Sequence, residues 1–256
     1  MKEFQELVDI LSRLRDPVSG CPWDAKQTSR SLVPNFIEEL YEAVEAIEDN
    51  DPQALCEELG DLLLHIVFQA RIAEEEGQFD IREVLSKISA KLIRRHPHVF
   101  GDADVRDSEA VKLNWERIKK AEKTDRISVL EGIPRALPAL IHAQRSQEKA
   151  AAVGFDWDSV KPVLDKLREE EDEFQAALAS QDSAAISEEL GDMLFTLVNL
   201  ARKLQIDAEG ALKDTTRKFH QRFRYIEEHY RKNGANIHEA SLEELDALWN
   251  LAKEDQ

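Results

Sequence analysis

"CEELGDLLLHIVFQAR" at 56–71 and "SEELGDMLFTLVNLAR" at 187–202 are two versions of one helix, offset by 187 − 56 = 131 residues. In both, apolar residues recur at three- and four-residue steps, the period of an amphipathic helix. Both also carry two glutamates, a glycine and an aspartate where the apolar face begins. Glycine inside a helix costs roughly 1 kcal/mol against alanine, and an acid drawn unpaired toward an apolar face costs more. A costly choice made twice points to a site.

The repeat extends outward from this helix. "EELYEAVEAI" (38–47) matches "EEEDEFQAAL" (169–178) at the same offset, and "KLIRRHPHVF" (91–100) matches "KFHQRFRYIE" (218–227) more weakly. "NWERIKK" (114–120) matches "LWNLAKE" (248–254). Four segments in one order indicate a duplicated domain. We divide the chain into 1–125 and 126–256, with the seam inside "KTDRISVLEGIPRALPAL" (123–140), where Gly132, Pro134 and Pro138 interrupt helical pattern. Helix signals fill both halves. Asp51 and Pro52 read as an N-cap and first-turn proline, Gly77 as a helix end and Asp80 as the next cap. Ser183 reads as a cap in the second half, and Ser241 with Glu244 as a capping box. No stretch alternates apolar and polar residues in the manner of a strand, so the predicted fold class is all-α, two tandem helical bundles.

The acids of each half fall on consecutive helices joined by a short turn, which pack as an antiparallel hairpin. Residues equidistant from the turn then lie level. Glu42 and Glu58 flank Asn50 at eight residues, and Glu39 and Asp61 flank it at eleven. Glu173 and Glu189 flank Gln181 at eight, and Glu170 and Asp192 at eleven. Residues three apart share a helix face, so each half builds a quadrilateral of four carboxylates. A lone E-E-x-x-E is usually a solvated helix face; the same mirrored pair in both halves is not so explained. Four facing carboxylates suit a hard cation, Mg²⁺ or Mn²⁺, that also takes phosphate oxygens. Gly60 and Gly191, lacking side chains, leave room for an ion, water or a facing helix. A carboxylate di-iron bundle needs E-x-x-H pairs, and none of the seven histidines has a glutamate three residues before it.

Composition bounds the partners. The net charge of 34 − 52 = −18 disfavours a nucleic-acid polymer, which requires a basic face. The most apolar run, "LLLHIVF" (62–68), is too short to cross a membrane. Two cysteines and a charged, amphipathic N-terminal stretch fit a cytoplasmic protein.

E-E-x-x-E followed by E-x-x-D, with "GCPWDAKQT" (20–28), "RRHPHVFGD" (94–102), "NWERIK" (114–119) and "EKAAAVGFDW" (148–157), resembles the MazG nucleoside triphosphate pyrophosphohydrolases over nearly the whole chain. The resemblance implies an all-α bundle, a homodimer, and Mg²⁺-dependent hydrolysis of NTP or dNTP to the monophosphate and pyrophosphate. Carried across, the metal ligands would be Glu39, Glu42, Glu58 and Asp61, with Glu170, Glu173, Glu189 and Asp192 in the second half. Glu38 and Glu169 would be outer ligands or the base that activates water. Lys91, Arg94 and Arg95, with Lys218 and Arg222, would meet the triphosphate. Trp115 with Lys119, and Trp249 with Lys253, could stack a base and touch phosphate; a core tryptophan is an equal alternative. Base tolerance should be broad, because every base has a π-face to stack. His65 reads as core or support rather than ligand. The two halves differ: Tyr41 becomes Asp172, His65 becomes Thr196 and Arg94 becomes Gln221. The alternative function is a non-catalytic metal- or nucleotide-binding adaptor.

Overall fold

The computed structural model describes residues 2–101 and 127–254, which are helical and contain no strand. They divide into two compact units, within 1–124 and 125–256. In the first unit α1 is Lys2–Leu14, α2 Val33–Glu48, α3 Pro52–Glu75, α4 Ile81–Arg95 and α5 the single turn Pro97–Phe100. In the second, α6 is Ala139–Ala151, α7 Val160–Ser180, α8 Ser183–Lys203, α9 Ala208–Asn233 and α10 Leu242–Glu254.

Each unit is organised on a hairpin, α2–α3 or α7–α8. The turn residues are Asn50 (φ 54°) and Gln181 (φ 58°), both left-handed, and these are the two residues about which the acids are mirrored. The second arm of each hairpin starts with an aspartate cap. Asp51 accepts from the amides of Gln53 and Ala54 at 2.9 and 3.0 Å. Asp182 accepts from Ala184 and Ala185 at 2.9 and 3.4 Å. The cap of α8 is therefore Asp182, and Ser183 is its first helical residue; aspartate binds the exposed amides of a helix start with the favourable charge as well. Asp80 caps α4 through the Glu83 amide at 2.8 Å. Ser241 and Glu244 form the reciprocal box before α10.

The first core joins Leu11 of α1, Leu32, and Val67, Phe68 and Ile72 of α3. Arg15 seals it. Its guanidinium meets Glu75 at 2.6 Å, donates to the carbonyls of Asp24 and Gln27, and lies 5.3 Å from the Phe68 ring centroid. The "GCPWDAKQT" segment is thus held as a strap. In the second unit Asp156 does the corresponding work, bridging Arg202 at 2.5 Å and Lys203 at 2.7 Å. Those two cations hold its carboxyl far below the usual range. Gln147 of α6 donates to the Phe195 carbonyl of α8 at 2.8 Å.

A left-handed residue other than glycine or asparagine carries backbone strain. Gln181→Gly should therefore stabilise the second unit by about 0.5–1 kcal/mol, read as a higher urea midpoint. Asn50→Gly should change the first unit less, since asparagine tolerates this region. A lowered midpoint for Gln181→Gly would show that the turn is not strained.

Candidate metal centre

The hairpins bring the acids together as two clusters near their turns. Oxygens of Glu39, Glu58 and Asp61 lie within 4.8 Å of one another, all three residues half-buried. Oxygens of Glu170, Glu173 and Glu189 form the second group. The fourth member of each quadrilateral stands slightly apart. Glu42 is outside the first group yet close enough to act on both Glu39 and Glu58, and Asp192 acts on Glu189 in the same way.

Crowding of like charge leaves a chemical mark. The Glu39 carboxyl is pushed above the ordinary glutamate value of 4.5, first by burial and then by Asp61, Glu42, Glu58 and Glu38. Glu58 is pushed up by burial, then by Glu42, Asp61 and Glu57, with a hydrogen bond from Glu39 partly offsetting this. Glu189 rises through burial, Glu173 and Asp192. Carboxylates that resist ionisation beside one another, with only oxygen donors, are what a hard divalent cation relieves.

Glu38 and Glu169 are exposed beside the clusters. They differ in their partners. Glu169 is bound to Lys166 at 2.8 Å, and the same amine meets Glu170 at 2.9 Å. Lys166 joins the second cluster, a contact that the acid pattern does not show, although its spacing of four before Glu170 is readable once cations are traced too.

Above the first cluster, His65 is buried and stacked on Phe36 at 5.6 Å, and its Nδ1 has no hydrogen-bond partner among the described residues. Burial lowers its pKa, against Asp61, so the ring is neutral at pH 7. Gly60 and Gly191 face open space: a Cβ built on either meets nothing within 4 Å. Packing within each unit does not require glycine there.

Lys91 and Arg94 are exposed on α4, and Arg95 is half-buried. Lys218 is exposed on α9. Arg222 lies over the Trp249 ring at 5.6 Å. Phe219 packs on the same indole at 5.1 Å and stacks on Phe223 at 6.0 Å. Trp249 is thus engaged by α9, and Phe219, 51% exposed, offers the more open ring. Phe219 sits where the first half has Leu92, so comparing the repeats as aromatics rather than as charges would have found it. Lys253 donates to Asn250 at 3.2 Å. Trp115 and Lys119 lie outside the described residues.

Known proteins resemble this chain over its whole length. The model of the MazG nucleotide pyrophosphohydrolase domain matches twice, at 27–100 and 158–226, once over each hairpin. A nucleoside triphosphate pyrophosphohydrolase of Escherichia coli (strain K12) is 44% identical over 100% of this chain and 99% of its own. A nucleoside triphosphate pyrophosphohydrolase/pyrophosphatase MazG of Thermotoga maritima is 46% identical over 98% of this chain and 95% of its own. An uncharacterized protein, YabN, of Bacillus subtilis (strain 168) is 47% identical over 99% of this chain but only 52% of its own length.

The raised carboxyls fix the sign of a pH effect. A glutamate whose folded pKa exceeds its unfolded value favours the folded state below 4.5 and loses that contribution as pH rises through the folded value. Glu75, lowered by Arg15 and Arg71, acts oppositely: its stabilisation is present above 4.5 and lost as pH falls. In EDTA, Glu58→Gln with Glu189→Gln should therefore gain stability over the wild type as pH rises above about 4.5, and Mg²⁺ should close the gap. Melting curves at pH 4 to 8 that run parallel would sink this account of the clusters.

Proposed function

The chain belongs to the MazG nucleotide pyrophosphohydrolase family, and we propose that it hydrolyses nucleoside triphosphates, ribose or deoxyribose, to the monophosphate and pyrophosphate with Mg²⁺ or Mn²⁺. The observation that carries this reading is the carboxylate group repeated at one place in both hairpins. Glu39, Glu42, Glu58 and Asp61, and Glu170, Glu173, Glu189 and Asp192, would hold the metal. When bound, the ion supplies neutralising charge for the triphosphate and a more acidic water.

The side chains supply the rest. Glu38 and Glu169, exposed at the cluster edge, would take the proton of the attacking water. That water breaks the anhydride between the α- and β-phosphoryl groups, and pyrophosphate leaves. Lys91, Arg94 and Arg95 on α4, and Lys218 and Arg222 on α9, supply cations for the phosphates. Stacking on Trp249 and Phe219 would accept any base, which supports broad base tolerance.

We also assign a homodimer. Both hairpins carry large apolar residues open to solvent beside their acids: Leu40, Leu59 and Leu63 in the first, and Leu178, Leu190 and Leu194 in the second. Apolar surface in rows of this kind is usually covered by a partner, and Gly60 and Gly191 would allow it close. No described helix is long and apolar enough to cross a membrane. The free cysteines, Cys21 and Cys56, suit the reducing cytoplasm.

Phosphorus NMR of ATP with protein and Mg²⁺ should show AMP and pyrophosphate in equal amounts. Orthophosphate alone would overturn the reaction, and no turnover with any common nucleotide would favour the adaptor. Asp61→Asn with Asp192→Asn keeps size while removing one charge per cluster. It should lower Mg²⁺-dependent kcat/KM at least about a hundredfold, and unchanged turnover would separate the clusters from the reaction. Sedimentation should give twice the chain's 29.3 kDa; a 29.3 kDa particle at micromolar concentration would refute the dimer.

A further inference from the structure

The two clusters are alike in acids and unlike in counter-charge. In the second, the Lys166 amine lies 2.8 Å from Glu169 and 2.9 Å from Glu170. The Glu170 side chain is only 7% exposed, so this pair is shielded from water far better than a surface ion pair. At the matching place in the first unit, 166 − 131 = 35, stands Asn35, which carries no charge. Among the described residues Glu38 and Glu39 make no ion pair.

We propose that Lys166 is a built-in counter-ion that competes with the metal for Glu170, so that the two clusters of one chain fill at different divalent-cation concentrations, the first before the second. The proposal rests on reading the clusters as metal sites. Counting the exposed acid with each quadrilateral, the first cluster holds five carboxylates and no lysine from its own helix. The second holds five carboxylates and one ammonium. A cation entering the second cluster must take the Glu170 oxygen that the amine already holds. It must also bear the field of that ammonium a few ångströms away. At an effective dielectric of ~20, one unit charge at ~4 Å is worth several kcal/mol before screening and relaxation. A tenfold effect on affinity is well within that reach. The fold benefits in return: Glu170 is buried against an ammonium 2.9 Å away, and a carboxylate at that depth without a partner would be costly.

Four variants of the full chain separate the effects, with Mn²⁺ as the probe and free ion read by EPR. Glu58→Gln with Asp61→Asn silences the first cluster, and Glu189→Gln with Asp192→Asn silences the second. On the first background, adding Lys166→Met should tighten Mn²⁺ binding on the order of tenfold. On the second, adding Asn35→Lys should weaken it by a similar factor. The wild type should show two classes of Mn²⁺, the weaker one being the class that Lys166→Met shifts. If Lys166→Met leaves binding unchanged or weakens it, with far-UV dichroism intact, the amine is positioning Glu170 rather than opposing the metal, and the proposal falls. Should that variant misfold, Asn35→Lys decides alone, and an unchanged affinity there overturns the proposal. Mn²⁺ binding indifferent to both substitutions sinks the counter-ion only; no Mn²⁺ binding to the wild type removes the metal sites as well.

Discussion

Like charge held at short range is the constraint on which both units are built. Carboxylates crowded between two helices push the arms of their hairpin apart, and on the turn side only small side chains, Ala43 and Ala46 in the first unit and Ala177 in the second, are buried to oppose this. The larger buried side chains lie toward the other end. In α3 every buried side chain, from His65 to Ala73, lies on the C-terminal side of Asp61. In α8 the buried residues, Thr196, Val198 and Asn199, lie beyond Asp192. Arg15 with Glu75, and Asp156 with Arg202 and Lys203, tie down these same far ends. Each hairpin is a clamp, gripped at its base and charged near its tip.

This division explains which parts of the molecule were legible in the sequence. The hairpin was, because the apolar period and the acid spacing have the same geometric origin. The mirror centres, Asn50 and Gln181, are the left-handed turn residues themselves. Backbone caps were legible where the side chain sits in an unambiguous place, as at Asp51 and Asp80. At the start of α8 two adjacent residues could each cap, and the charged one, Asp182, does so.

Burial was much less legible. Leu59, Leu63, Leu190 and Leu194 follow the helical period, yet they are exposed within the chain. Period identifies a face that avoids water; it does not say which surface covers that face. Contacts made by long side chains were the least visible. Lys166 could have turned outward, and its approach to Glu169 and Glu170 is set by the local field, which a pattern of acids read alone omits. Likewise the tryptophan of α10 was readable as core or as stacking platform, and its neighbours Phe219 and Arg222 come from a different helix.

Duplication gave both halves one scaffold, and beside the acids divergence has worked on charge. From first unit to second, Asn35 becomes Lys166 and Tyr41 becomes Asp172. The two changes cancel in sum, one adding a positive and the other a negative charge, but they do not cancel in place. The ammonium sits on the buried Glu170, whereas Asp172 is exposed. At short range an internal charge acts through a poorly screened medium and an exposed one through water. The second cluster therefore feels its lysine far more than its extra aspartate. Two clusters built on one hairpin plan are thus not electrostatically equivalent, because the hairpin sets where the acids stand while the field is set by which other charges lie among them.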